Sequence, residues 1–380
     1  MTPTGPHYGF GLYIHWPYCA KICPYCDFNV YAAKEHDTRP LVDAIRRDIA
    51  GHADHLTGHP PLDSVFFGGG TPSLLSAVDI GDIIETAAAR IGVKPGAEMT
   101  IEANPSDIQQ SDLSGWANAG INRVSLGIQS LRDDALSFLG RDHTAAGARA
   151  ALEAIQTQFE NHSIDLIYAR PDQSLKEWET ELDAALALGA PHLSLYELTI
   201  EARTAFGKRA ARGELKPMPD ETQADLYELT QTLCEASGLP AYEVSNHTRS
   251  ETFQSVHNAI YWNSGDWIGV GPGAHGRLTV DGQRCAVEAA RRPADYIAQT
   301  GSEWVPLTQE ETALEVLAMG LRPASGLDTT RYEELTGTKL PEHVMSSLVE
   351  SGHLTQSGSH IALTKAGRLL ADHIAAQLAV

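Results

Sequence analysis

Tyr13-Ile-His-Trp-Pro-Tyr-Cys-Ala-Lys-Ile-Cys-Pro-Tyr-Cys26 is the stretch on which the reading of this chain turns. It places Cys19, Cys23 and Cys26 in one short loop with the spacing C-x3-C-x2-C. Three thiolates from a single turn suit three irons of a cubane cluster and leave one iron without a protein ligand. Electron-transfer clusters are instead closed by a further cysteine. Zinc is the competing occupant, but it favours two separated ligand pairs. Only Cys234 and Cys285 remain, far apart and in unrelated contexts. Ligand number and thiolate softness favour an iron–sulfur cluster on Cys19, Cys23 and Cys26.

Outward from this loop, residues 11–15 read as a strand leading into it. Further short apolar strands are expected at 64–67, 98–102, 123–128, 164–168 and 192–197, with helical patterns at 39–55, 80–91, 112–119, 145–159 and 175–188 between them. Apolar strands separated by amphipathic helices imply parallel βαβ units. About six are countable, fewer than a closed barrel needs. The expected fold is α/β, a partial, open (β/α)6 barrel of TIM-like layout with its chemistry at the C-terminal strand ends. The pattern then weakens: a helix at 220–238, a strand at 241–244 and a Gly-rich run at 262–276. From residue 301 the chain turns helical, with a β-like pair at Leu354 and Ile361 before a last helix at 365–378. The division is a barrel at 1–240, a connecting region at 241–300 and a small winged-helix-like α+β domain at 301–380. That last layout suggests DNA binding by fold analogy alone. Residues 301–380 hold 5 Lys+Arg against 10 Asp+Glu, so a packing or lid role fits better.

Composition narrows the class. The 380 residues carry 28 Lys+Arg against 49 Asp+Glu, a net charge of −21 that repels phosphate backbones and argues against nucleic acid. No apolar run is long enough to span a bilayer. Residues 1–6 have neither a basic start nor an apolar stretch, so no signal peptide is expected. Five cysteines without a paired framework point to a reducing compartment, and the cytoplasm is expected.

Several polar residues stand at strand ends. Gly70, Thr71 and Pro72 lie in Phe67-Gly-Gly-Gly-Thr-Pro-Ser73, where glycine lets the backbone approach a ligand. A tight turn is the plain reading of such a run. Glu102, Gln129, Arg141 and Asp165 follow, each at or just beyond a predicted strand. A polar side chain near a buried strand is costly unless paired, so contact with a bound ligand is sensible. An arginine can grip a carboxylate bidentately, while an acid or amide can hold hydroxyls.

Together these motifs resemble the radical SAM superfamily, and within it the oxygen-independent coproporphyrinogen III oxidase family with its HemW-type heme chaperone relatives. The resemblance runs through GGGTPS at 68–73, EANP at 102–105, SLGIQS at 125–130, LGR-x-H at 139–143, Leu195-Tyr-Glu-Leu-Thr-Ile200, Tyr242-Glu-Val-Ser-Asn246, Gly269-Val-Gly-Pro-Gly-Ala-His275 and Leu363-Thr-Lys-Ala-Gly367. It implies a [4Fe–4S] cluster whose open iron binds S-adenosylmethionine (SAM), and a reductant whose electron cleaves SAM to a carbon radical. It further implies SAM contacts at Tyr13, Gly70, Thr71, Pro72, Glu102, Gln129, Arg141 and Asp165, with Tyr25 as another.

Two features separate the branches. The oxidases carry another cysteine two residues after the third ligand, and here that position is Phe28. His257-Asn-Ala-Ile-Tyr-Trp262 is similar to the heme-binding motif of the chaperones, which implies His257 as iron ligand and Asn258, Tyr261 and Trp262 as further heme contacts. A neutral imidazole ligates heme iron and flanking rings can cover a porphyrin face. On the residues alone, a buried histidine among packing aromatics is the plain reading. The resemblance implies a heme chaperone passing heme to acceptor proteins, with membrane-bound respiratory proteins one expected class. The alternatives are a radical SAM oxidase decarboxylating coproporphyrinogen III, and a cluster protein whose acidic surface serves docking.

One stretch departs from the family. Asp165-Leu-Ile-Tyr-Ala-Arg-Pro-Asp-Gln173 stands where relatives usually read DLIYGLPGQ. Ala169 for glycine costs most at positive φ, so a reshaped loop beside Asp165 is expected. Arg170 and Asp172 would form at most an exposed ion pair of little value.

Overall fold

The six expected strands all form: β1 Phe10–Trp16, β2 Leu62–Gly69, β3 Val93–Ala103, β4 Arg123–Gln129, β5 Asn161–Tyr168 and β6 His192–Glu197. They pair in parallel in chain order. In the computed structural model the described residues are 8–33, 38–56, 58–299 and 301–379, so the N-terminal reading at residues 1–6 lies outside them. Helices α1 Arg39–His55, α2 Ala77–Arg90, α3 Leu113–Ala119, α4 Ala145–Gln158 and α5 Leu175–Leu186 fall where the periodicity puts them. The side chains of Ser76, Asp112, Thr144 and Ser174 each accept a backbone N–H of the first turn, which fixes four of these helix starts. With helices covering one face, nearly all of β1 is buried.

The sheet extends beyond the six units. After helix α6 Asp220–Ala236, the expected strand at 241–244 is replaced by a turn, and β7 Asn246–Thr248 runs antiparallel to β6. Short helix α7 Val256–Trp262 leads to β8 Asp266–Val270, which pairs in parallel with the free side of β1. Antiparallel β9 His275–Val280, β10 Gln283–Ala289 and β11 Ser302–Pro306 complete an open sheet of eleven strands. The Gly-rich run at 262–276 hid β8 because its glycines serve close backbone crossing. A Cβ on Gly269 would collide with the His275 carbonyl. A separate apolar core is built from α8 Gln309–Gly320, β12 Leu327–Asp328, α9 Thr329–Thr336, α10 Glu342–Glu350, β13 Leu354–Ser357, β14 His360–Leu363 and α11 Ala371–Leu378. The expected last helix is interrupted between Arg368 and Ala371. Among the described residues no helix is long and apolar enough to cross a membrane.

The departure after β5 takes an unexpected form. Ala169 and Asp172 adopt left-handed backbone, with φ of 56° and 62°. The exposed Arg170–Asp172 pair expected from the sequence is not what forms. Arg170 is only 6% exposed, and its Nη2 donates to Glu181 Oε2 of α5 at 2.6 Å while Nη1 donates to the Ile167 carbonyl at 2.7 Å. The other Glu181 oxygen accepts Leu131 N at 2.9 Å and the Ser130 hydroxyl. One buried ion pair therefore ties the loop after β5 to the loop after β4. Removing one partner of such a pair leaves an uncompensated buried charge. Arg170→Leu is expected to cost about 3–5 kcal/mol in urea unfolding, and Arg170→Leu/Glu181→Leu should recover most of it.

Candidate functional site

Seven parallel strands send their C-terminal ends to one rim, where a cavity of about 570 Å3 opens. β1 delivers the cysteine loop there. The loop is held by backbone: Gly70 N donates to the Trp16 carbonyl at 2.6 Å, Thr71 N to that of Tyr18 at 2.8 Å, and Phe206 N to that of Pro24 at 2.9 Å. Cys19, Cys23 and Cys26 all line the cavity, and none is in a disulfide. Burial pushes the Cys19 thiol up and that of Cys26 to about 11. Three unpaired soft donors around one cavity fit a cluster that replaces their protons with iron.

Gly70, Thr71, Pro72, Glu102, Gln129, Arg141, Asp165 and Tyr25 also line this cavity. Arg141 Nη1 lies 3.3 Å from Cys23 Sγ, and Nη2 donates to the Gly127 carbonyl at 3.0 Å and to the Asn104 side chain. A guanidinium beside the cysteines can take a carboxylate bound next to the cluster. Glu102 Oε2 accepts Gly69 N at 3.1 Å; burial, reinforced by Asp165, pushes its carboxyl up to about 8. Asp165 is also raised by burial, with hydroxyl donors from Ser194 and Ser125 opposing. Gln129 turns into the cavity from a left-handed residue, φ 61°, at a register shift of β4 against β5.

Tyr13 is placed differently from expectation. It does not line the cavity, and its hydroxyl bonds His15 Nδ1 at 3.1 Å. The His257 motif is also split. Asn258 reaches the cavity, but His257 is 1% exposed, with Nδ1 bonded to Ser64 Oγ at 2.8 Å and Nε2 to the Tyr261 hydroxyl at 2.6 Å. Burial, and then the Arg123 charge, push its imidazole down to about 3, so the ring is neutral. Trp262 packs at 5.7 Å on the Tyr242 ring. In this conformation the motif offers no free imidazole nitrogen. Sequence reasoning missed Asn104, the Arg141 partner, and Arg123, a charge opening an apolar strand that the rule used for Asp165 could have found.

The heme chaperone HemW of Bacillus subtilis is 34% identical over 373 residues, 95% of this chain and 97% of that protein. The chain belongs to the HemW-type radical SAM family. HemW of Escherichia coli is 34% identical over 376 residues, 96% of each chain. The mitochondrial radical S-adenosyl methionine domain-containing protein 1 of Bos taurus is 37% identical over 338 residues, covering 85% of this chain and 75% of its own. Residues 13–185 match the radical SAM superfamily and 307–370 the HemN C-terminal domain. Coproporphyrinogen III oxidase (HemN) of Escherichia coli, a radical SAM enzyme, superposes with a TM-score of 0.79 over all of this chain and 92% of its own at 20% identity, a likeness of fold. SAM and a [4Fe–4S] cluster are the cofactors of this superfamily.

Replacing Cys19, Cys23 or Cys26 with alanine should each abolish the cluster. Iron and sulfide analysis after reconstitution checks this, and about four irons per chain in any single variant would refute the ligand set. Glu102 gives a pH signature. Its folded value near 8 lies above its ordinary 4.5, so the folded state binds the extra proton and stability falls as pH rises between those values. Chemical unfolding of the metal-free protein across this range should show a steeper loss for wild type than for Glu102→Gln.

Proposed function

We propose that this protein is a heme chaperone that carries a SAM-ligated [4Fe–4S] cluster in the strand-end cavity and passes heme to acceptor proteins. Cys19, Cys23 and Cys26 would hold the cluster. Arg141 would face the SAM carboxylate, with Gly70, Thr71, Pro72, Glu102, Gln129, Asp165 and Tyr25 around the rest. When bound and reduced, the pair supplies radical chemistry. The curated relatives named HemW support the heme reading, and membrane-bound respiratory proteins are the acceptor class we propose. The cytoplasm is the compartment we propose.

The observation that favours chaperone over oxidase is the charge of the cavity. Its lining carries three cations, Lys21, Arg123 and Arg141, against six carboxylic acids, Asp27, Glu102, Asp142, Asp165, Glu197 and Glu201. With Arg141 given to SAM, the lining keeps only Lys21 and Arg123 as cations to meet the four carboxylates of coproporphyrinogen. Phe28 supports the same choice: it is 63% exposed at the cavity edge where an oxidase carries its extra cysteine. We assign the heme iron to His257. Both of its nitrogens are bonded, so loading there follows displacement of α7, with Asn258, Tyr261 and Trp262 carried on the same helix.

Heme titration followed at the Soret band should show binding by wild type and loss of most of it in His257→Ala, with cluster content unchanged. Incubation of reduced protein with SAM and coproporphyrinogen III should give no decarboxylated porphyrin. Its formation would return the reading to an oxidase.

A further inference from the structure

Arg123 is the anomaly of the barrel interior. It opens β4, is 2% exposed and lines the floor of the cavity. Among the described residues its side chain makes no hydrogen bond, and its buried Nε has no acceptor. Among the described residues the one carboxylate within 4 Å of it is Glu98, with Arg123 Nε 3.8 Å from Oε2. Glu98 already serves another purpose: its two oxygens accept Val256 N and His257 N, each at 3.0 Å, at the start of α7.

The other acids of the interior are similarly engaged. Glu102 accepts Gly69 N at 3.1 Å, and Asp165 accepts Ser125 Oγ at 3.0 Å. A guanidinium carries five donors and cannot shed its proton. Buried without an acceptor, it forfeits the bonds that water would give. Balancing the charge of Glu98 accounts for a cation here. It does not account for an arginine whose donor fork is left open toward the cavity.

We propose that Arg123 is a carboxylate-binding subsite at the cavity floor, and that it takes one propionate of the bound tetrapyrrole. The tetrapyrrole identity rests on the chaperone reading above. SAM is the less suitable partner, because Arg141 already stands beside Cys23 at 3.3 Å, where a ligand of the open iron belongs. Asn258 shares the lining with Arg123, and Glu98 links Arg123 to the α7 N-terminus. A propionate on Arg123 therefore brings a porphyrin edge beside the helix that carries His257. Among the described residues the cavity lining offers one such open fork, so one carboxylate arm is recognised there.

The test compares Fe(III) protoporphyrin IX with its dimethyl ester, whose propionates carry no charge, on the full chain with its cluster. Wild type should bind the free acid about tenfold or more tightly than the ester, the scale of one charge-assisted bidentate contact. Arg123→Gln should lose that preference while keeping its ester and SAM affinities. Arg123→Lys, which keeps the charge beside Glu98, should retain part of the preference, and it decides the matter if the glutamine variant does not fold. An unchanged preference in the folded variants overturns the subsite, as does equal binding of the two porphyrins by wild type. A parallel loss of SAM affinity also overturns it by moving Arg123 into the SAM site. If wild type binds neither porphyrin, the chaperone reading itself fails.

Discussion

The site depends on one close approach of backbone to backbone. The cysteine loop has no apolar core of its own and hangs from the end of β1 by carbonyl bonds to the glycine turn after β2. A Cβ on Gly70 would lie 2.7 Å from the Tyr18 carbonyl oxygen and 2.9 Å from that of Trp16. Only glycine admits both bonds. The same contact sets register, because Trp16 stands opposite Gly69 in the parallel pair. A slip by one residue would turn Glu102 and Asp165 from the cavity to the helix-covered face if carried into their strands. Pro24 repeats the device on the far side, packing against Gly140 next to Arg141. The positions of the thiols and of the guanidinium beside them therefore follow from strand pairing.

The interior that this pairing creates is polar, and its acids are bonded while, among the described residues, the Arg123 Nε has no acceptor. Glu102 near 8 and Cys26 near 11 both describe groups that burial keeps protonated. Iron must displace the thiol protons, so assembly of the cluster is linked to pH. Arg141 and Arg123 bring donors that call for acceptors. Each must find an acceptor, and the geometry gives one to Arg141 in Gly127 while leaving Arg123 open. A cavity built this way is organised for charged groups of its ligands and is less stable empty than filled.

The fold was legible because its signals are local. Apolar strands with helices between them stand in the order of the chain, and all six pair as that order implies. β8 was not legible. It joins β1 from far along the chain, and its glycines, needed for crossing, look like a loop. The 165–173 loop was half legible: the lost glycine did mark a left-handed position, but the partner of Arg170 lies on α5, eleven residues on, where loop sequence says nothing. Within the site, residues at strand ends could be read from position. Tyr13 does not line the cavity, and its hydroxyl bonds His15 two residues away, a pairing that position alone does not reveal.

The placement of α7 bears on the iron ligation proposed for His257. Its first N–H groups are capped by Glu98 from β3, its His257 ring stacks 4.9 Å from Phe66 of β2, and Tyr261 closes the second ring nitrogen. The two imidazole hydrogen bonds are of the kind worth about 0.5–1.5 kcal/mol each net, and iron ligation would replace them. The helix has only seven residues, and a segment so short relies on its packing for stability. The C-terminal domain borders it, with Arg331 donating to the Ser264 carbonyl at 2.8 Å just after the helix and Arg322 to Glu243 at 2.9 Å. This short helix, bordered by a separately cored domain, is held by the buried Ile260 and Trp262 together with these polar contacts. If iron binds His257 as proposed, α7 must first move, and the imidazole, Tyr261 and Trp262 would be uncovered together.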